Sequence, residues 1–383
     1  MDDNVPPPGS TQVPPPPPPS APPPLIVPRY VPAPRRSNFW KIVALVLVVL
    51  LVVSIATNVS QLFDSFIPGE VTATRKAGPR LHEAVIEHND SRNKVVVISV
   101  EGIIASDMGG TPGYGMVEYI RDQFERAAER NDVKAVLLKV NSPGGEVLAS
   151  DEIYDIITKF QADSKKPVIA SMSSVAASGG YYVASPCRWI VADEMTITGS
   201  IGVIMSTFNV RNLMDKVGVQ PIVFKSGRYK DMLSMTRKPE ETTPEERKMM
   251  QELIDETFGK FKKVVSEGRQ RANKMNQGGG DSGQQLVDDW EQYADGRIFS
   301  GEQAYKYGFV DELGNWETAK QRALALAGIP DANFVQYQPE FSLANLFQIL
   351  GKSEKTTLKV DLGLSAPAVR PGYLYFLSPS YLQ

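Results

Sequence analysis

Apolar and polar positions divide the chain into three regimes. Residues 1–34 show no apolar period. Proline runs at 6–8, 14–19 and 22–24 exclude helix and central strand and favour solvated polyproline II. Such a tail serves as a spacer or as a docking strand for an SH3- or WW-like partner. From 42 to 63 no charged residue occurs, enough as a helix to span a hydrocarbon core of ~30 Å. Arg29, Arg35, Arg36 and Lys41 precede this run, Trp40 borders it, and no Lys or Arg follows before Arg75. The asymmetry predicts a cytoplasmic N-terminus and an external remainder. A cleaved signal peptide is the rival reading, but the run is long and late for one.

Residues 64–92 are mixed and polar and read as a stalk. Strand and helix patterns then alternate. KVVVISV (94–100) and VKAVLLKV (133–140) have the continuous apolar character of buried strands. Residues 116–130 and 146–160 carry helical periodicity, and 167–171 reads as a third strand. A further strand is expected at 222–224 and helices at 243–263 and 318–327. The first of these helices has Thr243 as N-cap, Pro244 in its first turn and Glu245–Glu246 at its positive end. Residues 277–283 form a Gly-rich polar loop, and the chain closes on an aromatic tail, 373–376. The alternation predicts an α/β fold with a parallel sheet and crossover helices.

Composition narrows the chemistry. The 383 residues carry 41 Lys and Arg against 44 Asp and Glu, a net charge of −3, which argues against coating nucleic acid. Cys187 is the single cysteine, so no intrachain disulfide or Cys-rich zinc site forms. The two histidines are His82 and His88. His82-Glu83-Ala84-Val85-Ile86 lacks the second histidine of a zinc-protease helix. A hydrolase built on the later chain must work without a local Ser-His-Asp triad. Phosphate-loop and dinucleotide fingerprints are missing as well: Gly113-Tyr114-Gly115 has Glu118 where the third glycine belongs. No cofactor is implied.

Three small-residue motifs lie where strands end. Asn141-Ser142-Pro143-Gly144-Gly145 follows the second strand, and its glycines either let backbone N–H groups approach a polarised carbonyl or simply make a tight turn. Ser178 in Ala176-Ala177-Ser178-Gly179-Gly180-Tyr181-Tyr182 stands at a strand-to-helix junction. It reads as a nucleophile or as an N-capping serine. Thr198-Gly199-Ser200-Ile201-Gly202 has the makeup of a buried turn near a cleft. A serine nucleophile without histidine points to lysine as base, neutral in a dry pocket. Lys225 and Lys230 flank Gly227, and composition does not choose between them.

Taken together, KVNSPGG (139–145), AASGGYYVAS (176–185), ITGSIGV (197–203), KSGRYKD (225–231) and GRIFSGEQAYKYGFVDELG (296–314) resemble peptidase family S49. Its members are membrane-anchored Ser-Lys proteases that degrade remnant signal peptides. Order and spacing match over about 93–330. The resemblance implies a ClpP/crotonase-like α/β fold of repeated strand-helix units, preceded here by one transmembrane helix. It implies Ser178 as nucleophile, Lys230 as general base and Ser200 as the residue orienting the lysine. The backbone N–H groups of Gly145 and Gly179 become the oxyanion hole. The expected divisions are a Pro-rich cytoplasmic tail 1–38, a transmembrane helix 39–63, a stalk 64–92, the protease domain 93–330 and a C-terminal extension 331–383. The long family form carries two repeats with lysine and serine in different ones. This chain carries one, so neighbouring subunits of a ring-like homo-oligomer are expected to complete each site. The catalytic domain is expected on the outer face of a bacterial plasma membrane, acting on hydrophobic peptides. The tail 371–376 either reaches a substrate groove or packs on the domain surface. Rival readings are an acyl-CoA hydratase or isomerase of the same fold, a peptide-binding scaffold, and an S49 protease specific for membrane proteins.

Overall fold

The computed structural model describes residues 41, 43–51, 53–54, 81–106, 114–277, 282–339 and 374–377. The chain divides into two units, Met1–Arg75 and Lys76–Gln383. In the first unit the described residues between 41 and 54 are helical. Among the described residues no helix is long and apolar enough to cross a membrane. The expected transmembrane span and the Pro-rich tail fall largely or wholly outside the described residues.

The second unit is built on strands β1 (Leu81–Glu87), β2 (Lys94–Glu101), β3 (Val133–Ser142), β4 (Gly144–Glu146), β5 (Val168–Ala177), β6 (Trp189–Ala192), β7 (Ile197–Gly199), β8 (Ile298–Ser300), β9 (Glu312–Leu313), β10 (Asn333–Pro339) and β11 (Tyr375–Leu377). The helices are α1 (Met116–Glu129), α2 (Val147–Ser164), α3 (Gly179–Ala184), α4 (Arg211–Lys216), α5 (Pro244–Gln277), α6 (Gly301–Lys306) and α7 (Trp316–Ala327). The main sheet runs β1-β10-β2-β3-β5-β6-β9, with β7 pairing β5 and β8. From β10 to β9 every pairing is parallel, and β1 is an antiparallel edge on β10.

Period-two alternation sorts the buried strands between two cores. Val96, Ile98, Val136 and Leu138 face α1 and α2, where Ile120, Phe124, Ile153, Ile157 and Phe160 cover them. Val95, Val97, Ala135 and Leu137 face the other way, onto Ala319 and Ala323 of α7. Covering both faces is what makes these strands continuously apolar.

Several expectations are corrected. The stalk 64–92 does not run to its end, because Leu81–Glu87 is the edge strand β1. Its irregular polar pattern follows from an edge position with one exposed side. The extension from 331 is not outside the domain, since β10 is inserted between β1 and β2. Residues 222–224 form no strand and lie exposed. The helix expected at 243–263 continues to Gln277. Gly268 and Arg269 blur its apolar stripe, and both are required by packing. A Cβ on Gly268 would come 2.5 Å from the Ser185 carbonyl oxygen. Arg269 is fully buried, donates to the Cys187 carbonyl at 3.1 Å and pairs with Asp311, itself fully buried at the side chain. Burial pushes the Asp311 carboxyl up, and Arg269 opposes that.

Replacing one member of this pair strands the other. Arg269→Met should cost about 3–5 kcal/mol in urea unfolding, and adding Asp311→Leu should recover most of it.

Candidate active site

Strand β5 ends at Ala177 and α3 begins at Gly179, leaving Ser178 as the turn between them. Its backbone sits at φ 55°, ψ −118°, a region that disfavours a side chain. Two backbone bonds hold it there. The Ser178 amide donates to the Gly199 carbonyl at 2.8 Å, and the Tyr182 amide donates to the Ser178 carbonyl at 2.8 Å. The Gly199 carbonyl is delivered by β7, whose Gly199 lies opposite Ala177 in parallel register. The Thr198 hydroxyl donates to the Ala176 carbonyl at 2.6 Å and fixes that register. The serine is buried at 1% exposure, and its Oγ is buried without a hydrogen-bond partner. An N-capping serine would have bonded the helix amides; this one makes no side-chain cap. A buried hydroxyl left unbonded costs free energy, so the geometry holds it ready for a partner.

The glycine turn after β3 lies against this serine. Gly144 has φ 103°, and a Cβ there would lie 2.7 Å from the Gly179 amide nitrogen. A Cβ on Gly179 would lie 3.1 Å from the Gly145 amide nitrogen. The backbones at 145 and 179 therefore approach closely beside Ser178. Gly145 is itself locked: a Cβ would lie 1.9 Å from the Ile104 carbonyl oxygen, and Ile104 pairs with Gly145 as a parallel bridge. Ser142 supports the turn by accepting from the Gly144 amide at 3.1 Å.

Ser200 follows the carbonyl that holds Ser178. It is buried at 3% exposure, has φ 52°, and donates its amide to the Arg297 carbonyl at 2.7 Å. The structure thus gathers Ser178, Gly145, Gly179 and Ser200 in one place. Lys230 lies exposed on a run of tight turns before α5 and does not bond to Ser178 Oγ. Helix α5 meets the site near its middle, where Phe261 packs on Tyr182 of α3 with ring centroids 4.9 Å apart. Glu246, at the end nearest the lysine turns, lies about 22 Å along the helix from Phe261. Among the described residues no group of His, Cys, Asp and Glu could hold a metal.

Sequence reading missed two contributions. Thr198 and the Gly199 carbonyl act through backbone register, and Ile104 lies in an irregular segment without period. The tail, expected either in a substrate groove or on the domain surface, lies against the glycine turn. Strand β11 pairs antiparallel with β4, setting Phe376 opposite Gly145, while Tyr375 exchanges backbone bonds with Ile204 at 3.0 and 3.1 Å. Phe376 is fully buried, stacked on Tyr182 at 4.9 Å and tilted on Phe261 at 4.6 Å.

A serine on a strained strand-to-helix turn of a parallel α/β sheet, with two glycine amides beside it, defines a serine-type acyl-transfer site. Comparison with known proteins makes this specific. A family model for peptidase family S49 matches residues 160–330, and one for Clp protease matches residues 114–188. A putative protease of Synechocystis sp. is 39% identical over 278 residues, covering 72% of this chain and 90% of that protein. A putative signal peptide peptidase SppA of Enterococcus faecium is 36% identical over 263 residues, covering 67% and 70%. Protease 4 of Haemophilus influenzae is 34% identical over 296 residues, covering 74% of this chain and 44% of that longer protein. The chain belongs to peptidase family S49 and is a serine-type peptidase.

Strain at Ser178 yields an opposed pair of effects. Ser178→Gly should raise unfolding stability by about 1 kcal/mol, because glycine tolerates the positive φ, while abolishing peptide hydrolysis. Thermal unfolding beside a turnover assay reads both.

Proposed function

We propose that the chain is a membrane-anchored serine endopeptidase with a Ser178–Lys230 dyad, degrading cleaved signal peptides and other hydrophobic peptides. The observation that carries this reading is the buried, unbonded Ser178 Oγ beside the Gly145 and Gly179 amides. Lys230 takes the Ser178 proton as Oγ attacks the scissile carbonyl carbon. The resulting oxyanion accepts from the amides of Gly145 and Gly179. The C–N bond breaks as the lysine returns the proton to the leaving amine. Water, deprotonated by the same lysine, then hydrolyses the ester and frees Ser178. Ser200 accepts from the lysine and aims it. The chemistry calls for no cofactor.

The apolar run 42–63 anchors the enzyme, with the N-terminus cytoplasmic and the catalytic unit on the outer face of a bacterial plasma membrane. Lys230 comes from a neighbouring subunit of a homo-oligomer. Supporting this, Oγ has no partner among the described residues, and the lysine segment exposes Phe224 at 95%, Ile222 at 81% and Phe208 at 70%. Exposed apolar surface of this extent marks a contact between proteins.

Hydrolysis of a hydrophobic signal peptide by the detergent-solubilised full chain should fall at least about 1,000-fold in both Ser178→Ala and Lys230→Ala, with assembly unchanged. Turnover surviving both changes refutes the assignments. Mixing the two inactive variants should restore activity if the dyad is shared between chains, and a fully active monomer in sedimentation would sink that idea.

The tail reading belongs to the same site. Pairing of β11 along Gly144–Glu146 supports occupation of the substrate groove by the chain's own C-terminus. Removing residues 366–383 should lower KM for an added peptide. Unchanged KM and unchanged assembly would reduce the tail to surface packing.

A further inference from the structure

The segment carrying Lys230 is a chain of tight turns. Lys230 N donates to the Gly227 carbonyl at 3.2 Å, Met232 N to Tyr229 at 3.0 Å and Ser234 N to Asp231 at 3.0 Å. Such turns fix local shape but not their direction relative to the rest of the fold. A charge cluster supplies that direction. Asp231, the residue after Lys230, accepts from Lys225 Nζ at 2.6 Å and lies 3.5 Å from Arg237 Nη1. The Arg237 guanidinium then forks onto Glu246, with Nη1 to Oε1 at 2.8 Å and Nη2 to Oε2 at 2.7 Å.

Glu246 is an unusual anchor. It is buried at 3% exposure in the first turn of α5. Its Oε2 also accepts from the Thr243 amide at 2.8 Å, while the Thr243 hydroxyl accepts from the Glu246 amide at 3.2 Å. The capping box that starts the helix therefore also grips the arginine. Arg237 and the Thr243 amide hold the Glu246 carboxyl well below its usual range, so the pair stays ionised. Asn209 adds a bond to the Arg237 carbonyl at 2.8 Å, tying the strap leading into α4 to the same point. A bidentate fork of this kind sets orientation as well as distance, which a lysine in its place would not do.

Helix α5 ties this grip to the body of its own chain. Its middle packs on α3 through Phe261 and on the turn after α3 through Gly268 at Ser185 and Arg269 at Cys187. The lysine turns are thus mounted at one end of a rod whose other part is docked against the serine helix. We infer that Arg237, clamped between Asp231 and Glu246, is a positioning residue that aims Lys230 at the Ser178 hydroxyl it must deprotonate. This deepens the proposed function and rests on Lys230 being the base. Arg237 touches no substrate; it acts through the angle of the turn.

The decisive experiment uses mixed full-length assemblies. A Ser178→Ala chain supplies lysine and a Lys230→Ala chain supplies serine, and their mixture is assayed on a hydrophobic signal peptide. Arg237→Glu is then placed in one chain or the other. Carried by the lysine-donating chain, it should cut kcat roughly 10- to 100-fold with KM little changed, as a misplaced base does. Carried by the serine-donating chain, it should leave kcat within about twofold, because that chain's lysine turn is already idle. Equal losses in both placements mean a general structural role and overturn the proposal. If the unaltered mixture regains no turnover, shared catalysis fails first, and Arg237→Gln in the otherwise unaltered chain decides. A kcat lowered roughly 10- to 100-fold with KM and thermal unfolding little changed would uphold the positioning role. A kcat within about twofold, or a loss matched by earlier thermal unfolding, would overturn it. Activity in Lys230→Ala alone would instead refute the base assignment on which the inference stands.

Discussion

The 2.8 Å bond from the Ser178 amide to the Gly199 carbonyl holds a serine at φ 55° between a buried strand and a helix. A residue with a side chain stays in that conformation only when its surroundings over-determine it. Here the parallel pairing of β5 with β7, the Thr198 hydroxyl on Ala176 and the close approach of Gly179 to Gly144 do so together. Each of these depends on the sheet order, because β7 reaches β5 only beyond the carboxyl end of β6. The strain presents Oγ at the top of the sheet, where an open parallel sheet leaves room for a ligand. The glycines at 144 and 145 are demanded by the same crowding: side chains there would strike Phe376, Gly179 or Ile104.

Helix α5 connects this rigid centre to the lysine segment. Its 34 residues include the buried Arg269 that pairs with Asp311, a glycine crossing against Ser185 and a capped start that holds Arg237. Buried charges without partners are costly, so Arg269 and Asp311 specify how α5 docks as much as they stabilise it. Two parts of α5 do different work: its middle docks against α3, and its start holds an exposed segment with apolar and basic residues. Within the described residues of one chain, Ser178 Oγ lies beside the Gly145 and Gly179 backbones, while Lys230 is exposed and makes no bond to it.

Much of the fold was legible from pattern alone. Strands β2, β3 and β5 and helices α1 and α2 announced themselves by continuous apolar runs and helical period. The edge strand β1, the inserted strand β10 and the second half of α5 did not. Edge strands lose one covered face, and α5 spends buried positions on glycine and arginine, so the apolar signal fades where packing is tightest. At the site, Ser178, Gly145, Gly179 and Ser200 were marked by small residues at strand ends. Their convergence was not visible, since 145, 178 and 200 come from three different crossovers.

The amino-acid sequence by itself determined the buried strands β2, β3 and β5 and the helices α1 and α2 that cover them, ruled out an intrachain disulfide and a local Ser-His-Asp triad, and marked the small-residue turns at the strand ends. Those are properties of local spacing and side-chain chemistry. Only tertiary structure decided that Ser178 sits strained and unbonded among the described residues, that β11 pairs with the glycine turn Gly144–Glu146, and that Lys230 lies exposed without a bond to Ser178 Oγ. Each of these depends on which strands neighbour one another and how far a helix reaches. Such distances arise from long-range packing, which no local pattern of residues encodes.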